Sequence, residues 1–454
     1  MAASRKRLSN NPAVAALAAS LARHVAPHSR LTLALSGGLD SVALLHLLLA
    51  HRDTHPFQLD AVHVHHGLSA HADHWADFCV EICAAQGVEL HVHRVQVARD
   101  DAAGIEAAAR RARQQIFAAL KSDFLLTAHH QDDQAETLLI QLLRGAGPKG
   151  LAAMPAIQHS LNGTPPHLRP LLGVTRHDLQ AYAEAHALRW VEDDSNTDLR
   201  YRRNALRMEG LPWFNTHFPG ATTTLARAAS LQAEASALLD ELARHDAATA
   251  IQDAQLDCAA LATLSDARAR NLLRYFIEQQ SPLLAPPNGH ALPSARRLNE
   301  ILHQLRDARH DAQVCLSLGY ADLVRFRGRA RLVAPSPADA TLLHWQGEAQ
   351  LYLPAAQATV AFDATTGSGL KRTLLDAGRV TLGVRQGGER LRLHPGGPHR
   401  SLKNLLQEHG IPPWQRTRLP LLWLNDRLVW AAGIGLDVDT LAGAGEAGVM
   451  PRLV

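Results

Sequence analysis

The segment of this 454-residue chain best suited to chemistry is a loop of small and acidic residues, Ser36, Gly37, Gly38, Leu39, Asp40 and Ser41. It lies between an apolar run at 31–35 and a helical pattern that continues through 42–49. A strand, a glycine-containing loop and a helix in this order direct backbone N–H groups and a helix N-terminus at one point, which suits a phosphate or a pyrophosphate. The two glycines allow close backbone approach, and the two serines add hydroxyl donors.

This loop lacks the lysine of the common nucleoside-triphosphate loop, whose pattern ends in Gly-Lys-Ser or Gly-Lys-Thr. Asp40 would repel a polyphosphate unless a divalent cation joined the two, so the loop predicts Mg²⁺ at Asp40. Such a loop suits an enzyme that cleaves ATP to AMP and pyrophosphate. The simpler alternative is a glycine-rich turn in which Asp40 only begins a helix.

Three carboxylates form a second cluster, shortly after an apolar run at 124–127. Asp132, Asp133 and Glu136 have the spacing that places acidic side chains on one surface of a helix. Like charges so placed repel one another unless a cation lies among them, which predicts a site for Mg²⁺ or a substrate ammonium group. The alternative is helix capping, because acids in a first turn interact favourably with the helix dipole.

Basic residues give two further signals. Arginines are dense in the segment 200–207, and guanidinium groups bind phosphate through paired hydrogen bonds. Arg110 follows Glu106 by four residues on a helical pattern, where a solvated ion pair is a sufficient explanation. His63 and His65 alternate along a strand without a third ligand at suitable spacing, which favours polar residues near a base or ribose over zinc ligands.

The first half of the chain has the pattern of a scaffold that would bring these clusters together. Strands are predicted at 31–35, 59–64, 89–95 and 124–127, and helices near 41–50, 71–86, 104–121 and 132–143. This alternation favours an α/β fold with a doubly wound, mostly parallel, Rossmann-like sheet. Ligands of such sheets bind beyond the carboxyl ends of the strands, where the loop at 36–41, the pair His65 and His66, and the segment 129–133 would meet.

The pattern changes near residue 212 and predicts further domains. We expect a catalytic domain at 1–212, a mainly helical domain at 213–335, a linker with short strands at 336–375 and a small α+β domain at 376–454. The composition is that of an ordinary globular protein, with 46% apolar residues, and a net charge of +3 does not by itself indicate nucleic acid. Four cysteines are too few for a disulfide framework. The N-terminal segment has no continuous apolar core, so we expect no signal peptide, no membrane span and a cytoplasmic location.

Taken together, the motifs resemble those of the tRNA(Ile)-lysidine synthetases, bacterial enzymes of the N-type ATP pyrophosphatase (PP-loop) superfamily. The resemblance rests on SGGLDS at 36–41, HVHHGLS at 63–69, AHHQDDQAET at 128–137 and EDDSNTDLRYRRNALR at 192–207. It continues into the middle and final domains and is weakest over 213–255 and 335–375. The SGGLDS loop alone would fit GMP synthetase, asparagine synthetase or the tRNA thiolases, whereas the set of motifs in this order discriminates.

The resemblance implies a reaction in two steps. ATP adenylates the wobble cytidine, position 34, of a tRNA(Ile) with a CAU anticodon, and free L-lysine then displaces AMP to form lysidine. The codon read would change from AUG to AUA, and the amino acid from methionine to isoleucine. ATP is implied as a substrate, with Mg²⁺, and the later domains would grip the tRNA.

The resemblance also implies roles for particular residues. Catalysis is assigned to Asp40, Asp132, Asp133, Arg203 and Arg207. Binding of ATP is assigned to Ser36, Gly37, Gly38, Leu39, Asp40, Ser41, Arg110 and Arg113. Binding of lysine or cytidine is assigned to His65, His129, Asp132, Asp133, Glu136 and Asn204. Contacts to the tRNA body are assigned to Arg268, Arg270, Arg274, Arg296, Arg297, Lys403, Arg416 and Arg418.

Two other functions stay open at this stage. A tRNA thiolase could use the same loop, but it needs reactive or cluster-binding cysteines, and Cys79 and Cys83 do not have the usual Cys-x-x-Cys spacing. A nucleotide-binding protein that docks RNA without catalysis would not need the carboxylate cluster. The chain departs from the family at His65, often Asp, and at Gln114, often aromatic, which bears on details of the pocket. The sequence leaves the oligomeric state open, a homodimer included.

Overall fold

The computed structural model describes residues 11–98, 101, 104–159, 164–192, 198–281, 284, 292–308, 314–335 and 342–454. These residues form two compact units, one that ends at Arg244 and one that begins at His245. The first unit therefore extends beyond the predicted boundary at 212. Over the described ranges, every helix is too short or too polar to cross a membrane.

The first unit alternates helices and strands over most of its length. Its elements are α1 Pro12–His24, β1 Arg30–Ala34, α2 Leu39–His51, β2 Gln58–His65, α3 Ala72–Ala85, β3 Glu89–Arg94, α4 Ile105–Ala118, β4 Phe124–Leu126, α5 Gln131–Leu143, α6 Pro148–Leu151, β5 Ile157–Gln158, β6 His167–Leu168, α7 Arg176–Ala185, α8 Arg202–Ala205, a π-helical turn Leu206–Gly210, α9 Leu211–His217 and α10 Ala221–Ala250. The last residues of α10 lie in the second unit.

Six strands of this unit form one sheet in the order β3-β2-β1-β4-β6-β5. All neighbours are parallel except β5 and β6. Strand β1 lies at the centre, and Leu31, Thr32 and Leu33 are all buried, so this strand is covered on both faces. The prediction of an α/β fold with a mostly parallel sheet is confirmed. The carboxyl ends of β1, β2 and β4 lie next to one another, which brings the loops that follow them to one edge.

The second unit begins with helices and a five-stranded sheet. Its first elements are β7 Ile251–Gln252, β8 Gln255–Asp257, α11 Cys258–Thr263, α12 Asp266–Gln280, α13 Ala295–Asp307, β9 Val314–Ser317, β10 Asp322–Phe326 and β11 Arg329–Val333. The strands pair in the antiparallel order β7-β8-β11-β10-β9. Buried residues of the helices and of the sheet, such as Phe276, Ile301 and Leu323, form a common core.

The rest of the second unit is rich in short strands. Its elements are β12 Leu343–His344, β13 Gln350–Leu353, β14 Ala358–Thr366, β15 Leu370–Lys371, α14 Arg372–Ala377, β16 Val380–Gly383, β17 Arg390–Leu391, β18 Arg400–Ser401, α15 Leu402–Glu408, α16 Pro413–Arg416, β19 Leu421–Leu424, β20 Arg427–Ala431, β21 Gly435–Leu436, a 3₁₀ turn Val438–Thr440 and β22 Ala447–Leu453.

The strands predicted to form a linker at 336–375 instead pair with the strands that follow them. Strand β12 pairs with β16, and β14 pairs from Val360 to Thr366 with β22. Trp345 and Val360 lie in the same hydrophobic core as Leu382 and Val449. Residues 342–375 are therefore part of the terminal domain rather than a linker, because removing them would expose its core.

Candidate active site

The loop after β1 is held in shape by its own serines. The Ser36 backbone N–H donates to Ser41 Oγ at 3.2 Å, and Ser41 Oγ donates to the Gly38 carbonyl at 3.0 Å. The two serine hydroxyls lie 3.1 Å apart. Helix α2 begins directly after Gly38, which has no side chain to cap it. The first N–H groups of the helix are therefore open to an anion, as the sequence predicts.

Gly37 has a backbone conformation and surroundings that admit only glycine. Its φ is +88°, in the left-handed region, and a Cβ there would lie 3.0 Å from Val191 Cγ2 and 3.1 Å from Cys79 Sγ. The Gly37 carbonyl accepts a hydrogen bond from the Val191 N–H at 3.0 Å, so the loop lies directly against this segment. Gly38 has an ordinary φ of −74°.

Asp40 faces a histidine that the sequence analysis did not select. His130 Nε2 lies 3.6 Å from Asp40 Oδ2 and 3.5 Å from Asp133 Oδ2, and His130 Nδ1 lies 3.5 Å from Asp132 Oδ2. Burial lowers the pKa of His130, but the three carboxylates outweigh it and raise this pKa to about 10. His130 thus joins the loop after β1 to the start of α5. Its position at the start of α5, shortly after β4 and beside Asp132 and Asp133, is the sequence signal that indicates it.

Asp40 also has the free oxygen that a metal site needs. Its Oδ1 is buried and has no hydrogen-bond partner in the part of the chain that the structure describes. Within the same residues, no group of three or more His, Cys, Asp or Glu side chains is arranged to hold a metal. One carboxylate beside a phosphate-binding loop fits Mg²⁺, which is usually bound by one or two carboxylates together with substrate phosphates.

The carboxylates predicted to hold a cation are paired with arginines instead. Glu136 is fully buried, and its two oxygens accept hydrogen bonds from Arg203 Nε at 2.6 Å and Arg207 Nε at 2.7 Å. Asp133 Oδ1 lies 3.2 Å from Arg203 Nη2 and 2.9 Å from Arg207 Nη2. We call these four residues the carboxylate–arginine cluster. The expected ammonium or Mg²⁺ at Asp133 and Glu136 is corrected, because two guanidinium groups already occupy that position.

Capping, the alternative reading of these acids, is also present. Asp133 Oδ2 accepts a hydrogen bond from the His130 N–H at 3.0 Å, at the start of α5. Asp132 Oδ2 accepts one from the Arg176 N–H at 2.9 Å. The exposed fraction of the side chain falls from 28% at Asp132 to 9% at Asp133 and 0% at Glu136. Among the three, only Asp132 has substantial surface for a ligand.

The two arginines of the cluster keep part of their donors available. Each is 30% exposed, and each uses Nε and Nη2 on the carboxylates. Burial lowers the pKa of Arg207, but Glu136 and Asp133 outweigh this and raise it above the usual value. Neither Nη1 forms a hydrogen bond with any residue that the structure describes. The carboxylates therefore fix two charged guanidinium groups while leaving one nitrogen of each for an anion.

A chain of hydrogen bonds sets the protonation of His129. Arg169 Nη2 lies 3.2 Å from His167 Nδ1, His167 Nε2 lies 2.7 Å from Thr127 Oγ1, and Thr127 Oγ1 lies 2.8 Å from His129 Nδ1. Because arginine can only donate, His167 Nδ1 accepts, His167 Nε2–H donates to Thr127, and the Thr127 hydroxyl donates to His129 Nδ1. Burial is the main cause that lowers the pKa of His129 to about 4 and that of His167 to about 3. His129 is thus neutral and carries its proton on Nε2.

The other residues assigned to ATP or substrate have different surroundings. Arg110 and Arg113 are exposed on α4, and both lower the pKa of His167 by their charge, which places them near that histidine. His65 is buried, and its Nε2 lies 3.2 Å from Asp73 Oδ1, so it already has an acidic partner. Asn204 Nδ2 donates to the Asp198 carbonyl at 3.0 Å and stabilises the turn before α8. The rest of the acidic turn, 193–197, and the side chain of Glu106 lie outside the described residues.

All five arginines assigned to tRNA on the middle helices have acidic or amide partners. Arg268 pairs with the buried Asp246, Arg274 Nη1 lies 2.7 Å from Glu278, and Arg270 Nη1 donates to Asn299 Oδ1 at 3.0 Å. Arg296 and Arg297 both contact Glu300, at 3.2 and 3.1 Å. These ion pairs reduce the charge that the helices present to a phosphate backbone.

The three terminal-domain residues assigned to tRNA differ in their exposure and in their partners. Arg416 is buried, and its Nε donates to the Ile411 carbonyl at 2.6 Å, so its assignment to the tRNA surface is corrected to an internal role. Arg418 is partly exposed and donates to the Pro335 carbonyl at 2.7 Å. Lys403 is exposed and has no partner among the described residues.

The cysteines of the first unit are unsuited to redox or sulfur-transfer chemistry. Cys79 and Cys83 are buried in the core of this unit. Burial raises the pKa of Cys79 to about 12 and that of Cys83 to about 11. Because the thiolate is the reactive form, these thiols are inert at neutral pH. This counts against the thiolase alternative.

Three families match successive parts of the chain. The PP-loop domain matches residues 10–213, the TilS substrate binding domain matches 256–331, and the TilS substrate C-terminal domain matches 380–453. The match to the first covers the strand-end loops described above.

Similar proteins match nearly the full length. The tRNA(Ile)-lysidine synthase of Aromatoleum aromaticum is 46% identical over 432 residues, covering 95% of this chain and 98% of that protein. That of Azoarcus sp. is 44% identical over 430 residues, with 95% and 93% covered. That of Nitrosomonas europaea is 40% identical over 437 residues, with 95% and 93% covered. Since the similarity runs through all parts of both chains, this protein belongs to the tRNA(Ile)-lysidine synthase family.

Proposed function

We propose that this enzyme joins L-lysine to the wobble cytidine at position 34 of a tRNA(Ile) with a CAU anticodon, using ATP and releasing AMP and pyrophosphate. It is thus a ligase that forms a carbon–nitrogen bond. The product, lysidine, changes the codon read from AUG to AUA and the amino acid accepted from methionine to isoleucine. The observation that carries the proposal is the contact through His130 between Asp40 of the phosphate-binding loop and Asp133 of the carboxylate–arginine cluster.

The proposed reaction has two steps, adenylation of the cytidine and displacement of AMP by lysine. The O2 oxygen of the cytidine attacks the α-phosphorus of ATP, the bond to the β-phosphate oxygen breaks, and pyrophosphate leaves. The ε-nitrogen of lysine then attacks C2 of the adenylated base, the C2–O bond breaks, and AMP leaves. The lysine ammonium group must lose one proton before the attack, because only the neutral amine has a free electron pair, and it loses a second proton as the C–N bond forms.

The loop after β1 is proposed to hold the departing pyrophosphate. The open N–H groups at the start of α2 would bind it, and the Ser36 and Ser41 hydroxyls, 3.1 Å apart, hold the loop that presents these groups. Asp40, through its unpartnered oxygen, would hold Mg²⁺ together with phosphate oxygens of ATP, and the ion would neutralise charge on the pyrophosphate. The lack of a lysine in this loop suits cleavage at the α-phosphate rather than transfer of the terminal phosphate.

The cluster side of the site is proposed to act on the α-phosphate. Arg203 and Arg207 are held rigidly by Glu136 and Asp133, so their remaining donors can stabilise the negative charge that develops during adenylation. The neutral His129 offers an Nε2–H donor for an oxygen of the base or of the phosphate. Asp132, the most exposed of the acids, is proposed to receive the lysine ammonium group before its deprotonation.

The second unit is proposed to bind the body of the tRNA. Arg270, Lys403 and Arg418 form no close ion pair with an acid among the described residues, which suits contacts to phosphates. Discrimination from a methionine tRNA with the same anticodon has to use contacts outside that anticodon. The proposed substrate also places the enzyme in the cytoplasm, where tRNA is modified.

The test is incorporation of labelled lysine into tRNA(Ile) transcripts in which the wobble base is varied. We expect label only with cytidine at that position, one AMP and one pyrophosphate per lysine, and no ADP. Asp40→Asn should abolish adenylation while tRNA binding is kept, measured by filter binding. Formation of ADP, or label that is independent of the wobble base, would refute the proposal, and sulfur incorporation would restore the thiolase alternative.

A further inference from the structure

An apolar pocket lies on the side of the arginine-bearing helical segment that the carboxylate–arginine cluster does not use. Its volume is about 650 Å³, and its walls come from α5 and from the continuous stretch of α8, the π-helical turn and α9. The residues that matter for its chemistry are Leu143, Arg144, Arg202, Leu206, Glu209 and Trp213. We name it the flanking pocket.

The walls of the flanking pocket are unusually exposed for apolar side chains. Leu143 is 79% exposed and Trp213 is 54% exposed. The Trp213 ring stacks on His217 with ring centroids 4.5 Å apart. Exposed aromatic and aliphatic side chains that lie next to one another are typical of a binding surface.

The charged residues of the flanking pocket indicate which kind of ligand it could bind. Arg144 and Arg202 line it, and neither guanidinium has an ion-pair or hydrogen-bond partner among the described residues. By contrast, Arg203 and Arg207 of the same helical segment are both held by carboxylates. Two unpaired cations beside an apolar slot with one tryptophan suit a nucleobase with its phosphates, because single-stranded RNA binds by stacking on aromatic and guanidinium planes. Glu209 can accept a hydrogen bond from an exocyclic amine at the edge of a base.

The position of the pocket fits a nucleotide next to the reacting one. Ile140, a wall residue, follows Glu136 by one turn of α5, which is about 6 Å along the helix axis at ~1.5 Å per residue. The wall residue Arg202 directly precedes Arg203 of the cluster. A base that leaves the anticodon stack for reaction at the cluster would bring its chain neighbours to this distance.

We propose that the flanking pocket binds an unstacked nucleobase of the anticodon loop, adjacent in sequence to the wobble cytidine, between Trp213 and the guanidinium groups of Arg144 and Arg202. This inference rests on the proposed function and names a further subsite of the same enzyme. The pocket then holds the loop open while the cytidine reacts. It contributes binding energy to substrate and transition state alike.

The test is a cycle between Trp213→Ala and transcripts that carry an abasic residue, with ribose and phosphate kept, at one anticodon-loop position at a time. On the normal transcript, Trp213→Ala should raise KM for tRNA at least about fivefold, the lower end of the value of one stacked base, with kcat and the KM values for ATP and lysine unchanged. On a transcript abasic at one position beside the cytidine, the effect of Trp213→Ala should vanish. Trp213→Phe should retain most of the affinity.

Two further variants test the phosphate contact and provide a control. Arg144→Gln should reduce the slope of log affinity against log salt by about 1, as expected for one lost phosphate contact. Leu231→Ala removes a side chain that is 57% exposed in the same unit but outside the pocket, and it should leave KM for tRNA unchanged with every transcript.

The outcomes separate this inference from the proposed function. If the parent enzyme joins lysine to tRNA but Trp213→Ala has the same KM effect on every abasic transcript, or no effect, the pocket proposal is overturned and the function stands. It is also overturned if Trp213→Ala converts a dimer to a monomer without changing KM for tRNA, since the pocket would then hold a second copy of the chain. If the parent incorporates no lysine, the proposed function itself fails.

Discussion

Replacement of Glu136 by glutamine tests the central physical claim about the site, that a buried carboxylate holds two arginines in place. Glu136 is 0% exposed and accepts hydrogen bonds from Arg203 Nε at 2.6 Å and from Arg207 Nε at 2.7 Å and Nη2 at 3.1 Å. Glutamine keeps the shape but removes the charge, and its amide N–H₂ would point a donor at one of two groups that only donate. One guanidinium group thus loses its partner in a buried position.

The size of the effect follows from burial. Breaking a buried ion pair by removing one partner destabilises a protein by about 3–5 kcal/mol. Both arginines are 30% exposed and keep Asp133, so hydration offsets part of the loss and the lower end applies, about 3 kcal/mol. For a unit of this size, 1 kcal/mol corresponds to about 2–4 °C in Tm, so we expect Glu136→Gln to unfold about 6–12 °C below the parent.

The assay is thermal unfolding of the full chain, with the transition of the first unit identified as the one that ATP shifts upward. Glu241→Gln is the matched control, because Glu241 is exposed on α10, and its effect should stay within about 0.5 kcal/mol. AMP formation measured in parallel should lose kcat in Glu136→Gln, since the two arginines lose their fixed orientation. A Tm within about 2 °C of the parent, where a decrease of at least about 6 °C is expected, would refute the reasoning.

Three further changes have defined outcomes. Gly37→Ala should weaken ATP binding, measured by calorimetry, far more than Gly38→Ala, because only Gly37 has a left-handed φ of +88° and neighbours within 3.1 Å of a new Cβ. The free energy of unfolding should decrease as the pH falls from 6.5 towards 4, because buried neutral histidines with lowered pKa values, such as His167, gain protons first in the unfolded chain. In His167→Gln, the slope of this free energy against pH, measured by urea titration, should be smaller by up to about 1.4 kcal/mol per pH unit. A chain ending at residue 335 should stay soluble and bind tRNA with a shallower salt slope, whereas one ending at 375 should aggregate because β14 loses β22.

Much of the first unit follows from local sequence patterns. The apolar run at 31–35 is buried on both faces, and the next strand and helices lie within a few residues of their predicted positions. Because ligands bind at the carboxyl ends of parallel strands, the sequence predicts that the Asp40 loop and the segment after β4 lie at one edge of the sheet. Strands β1 and β4 are parallel neighbours, as this requires. These predictions succeed because they depend on periodicity and chain order alone.

The pairing partners inside the site could not be predicted in the same way. Glu136 and Asp133 share a helix surface, which the spacing shows, but the groups that neutralise them are 67 and more residues further along the chain. The segment with Arg203 and Arg207 predicts a phosphate-binding site. Its own sequence does not indicate that Nε and Nη2 of each arginine donate to carboxylates of α5. The contact of His130 with Asp40 could not be predicted for a related reason, because the two residues are far apart in the chain, although Asp132 and Asp133 lie close to His130 in sequence.

The gradient of burial along the start of α5 assigns different work to acids that look equivalent in sequence. Glu136 has no surface and full occupancy by guanidinium groups, so it acts on the reaction only through the arginines that it positions. Asp133 has one oxygen on the arginines and the other at the helix start, so it links the helix to the cluster. Of the three, Asp132 alone keeps substantial exposed surface, and its charged neighbour is His130 rather than an arginine. Under the proposed function, a substrate ammonium group would therefore bind at Asp132 without displacing an arginine, while the anionic phosphate would bind at the arginines. In the proposed reaction, the separation of the two substrates within one site would thus follow from which acids are already paired with arginines.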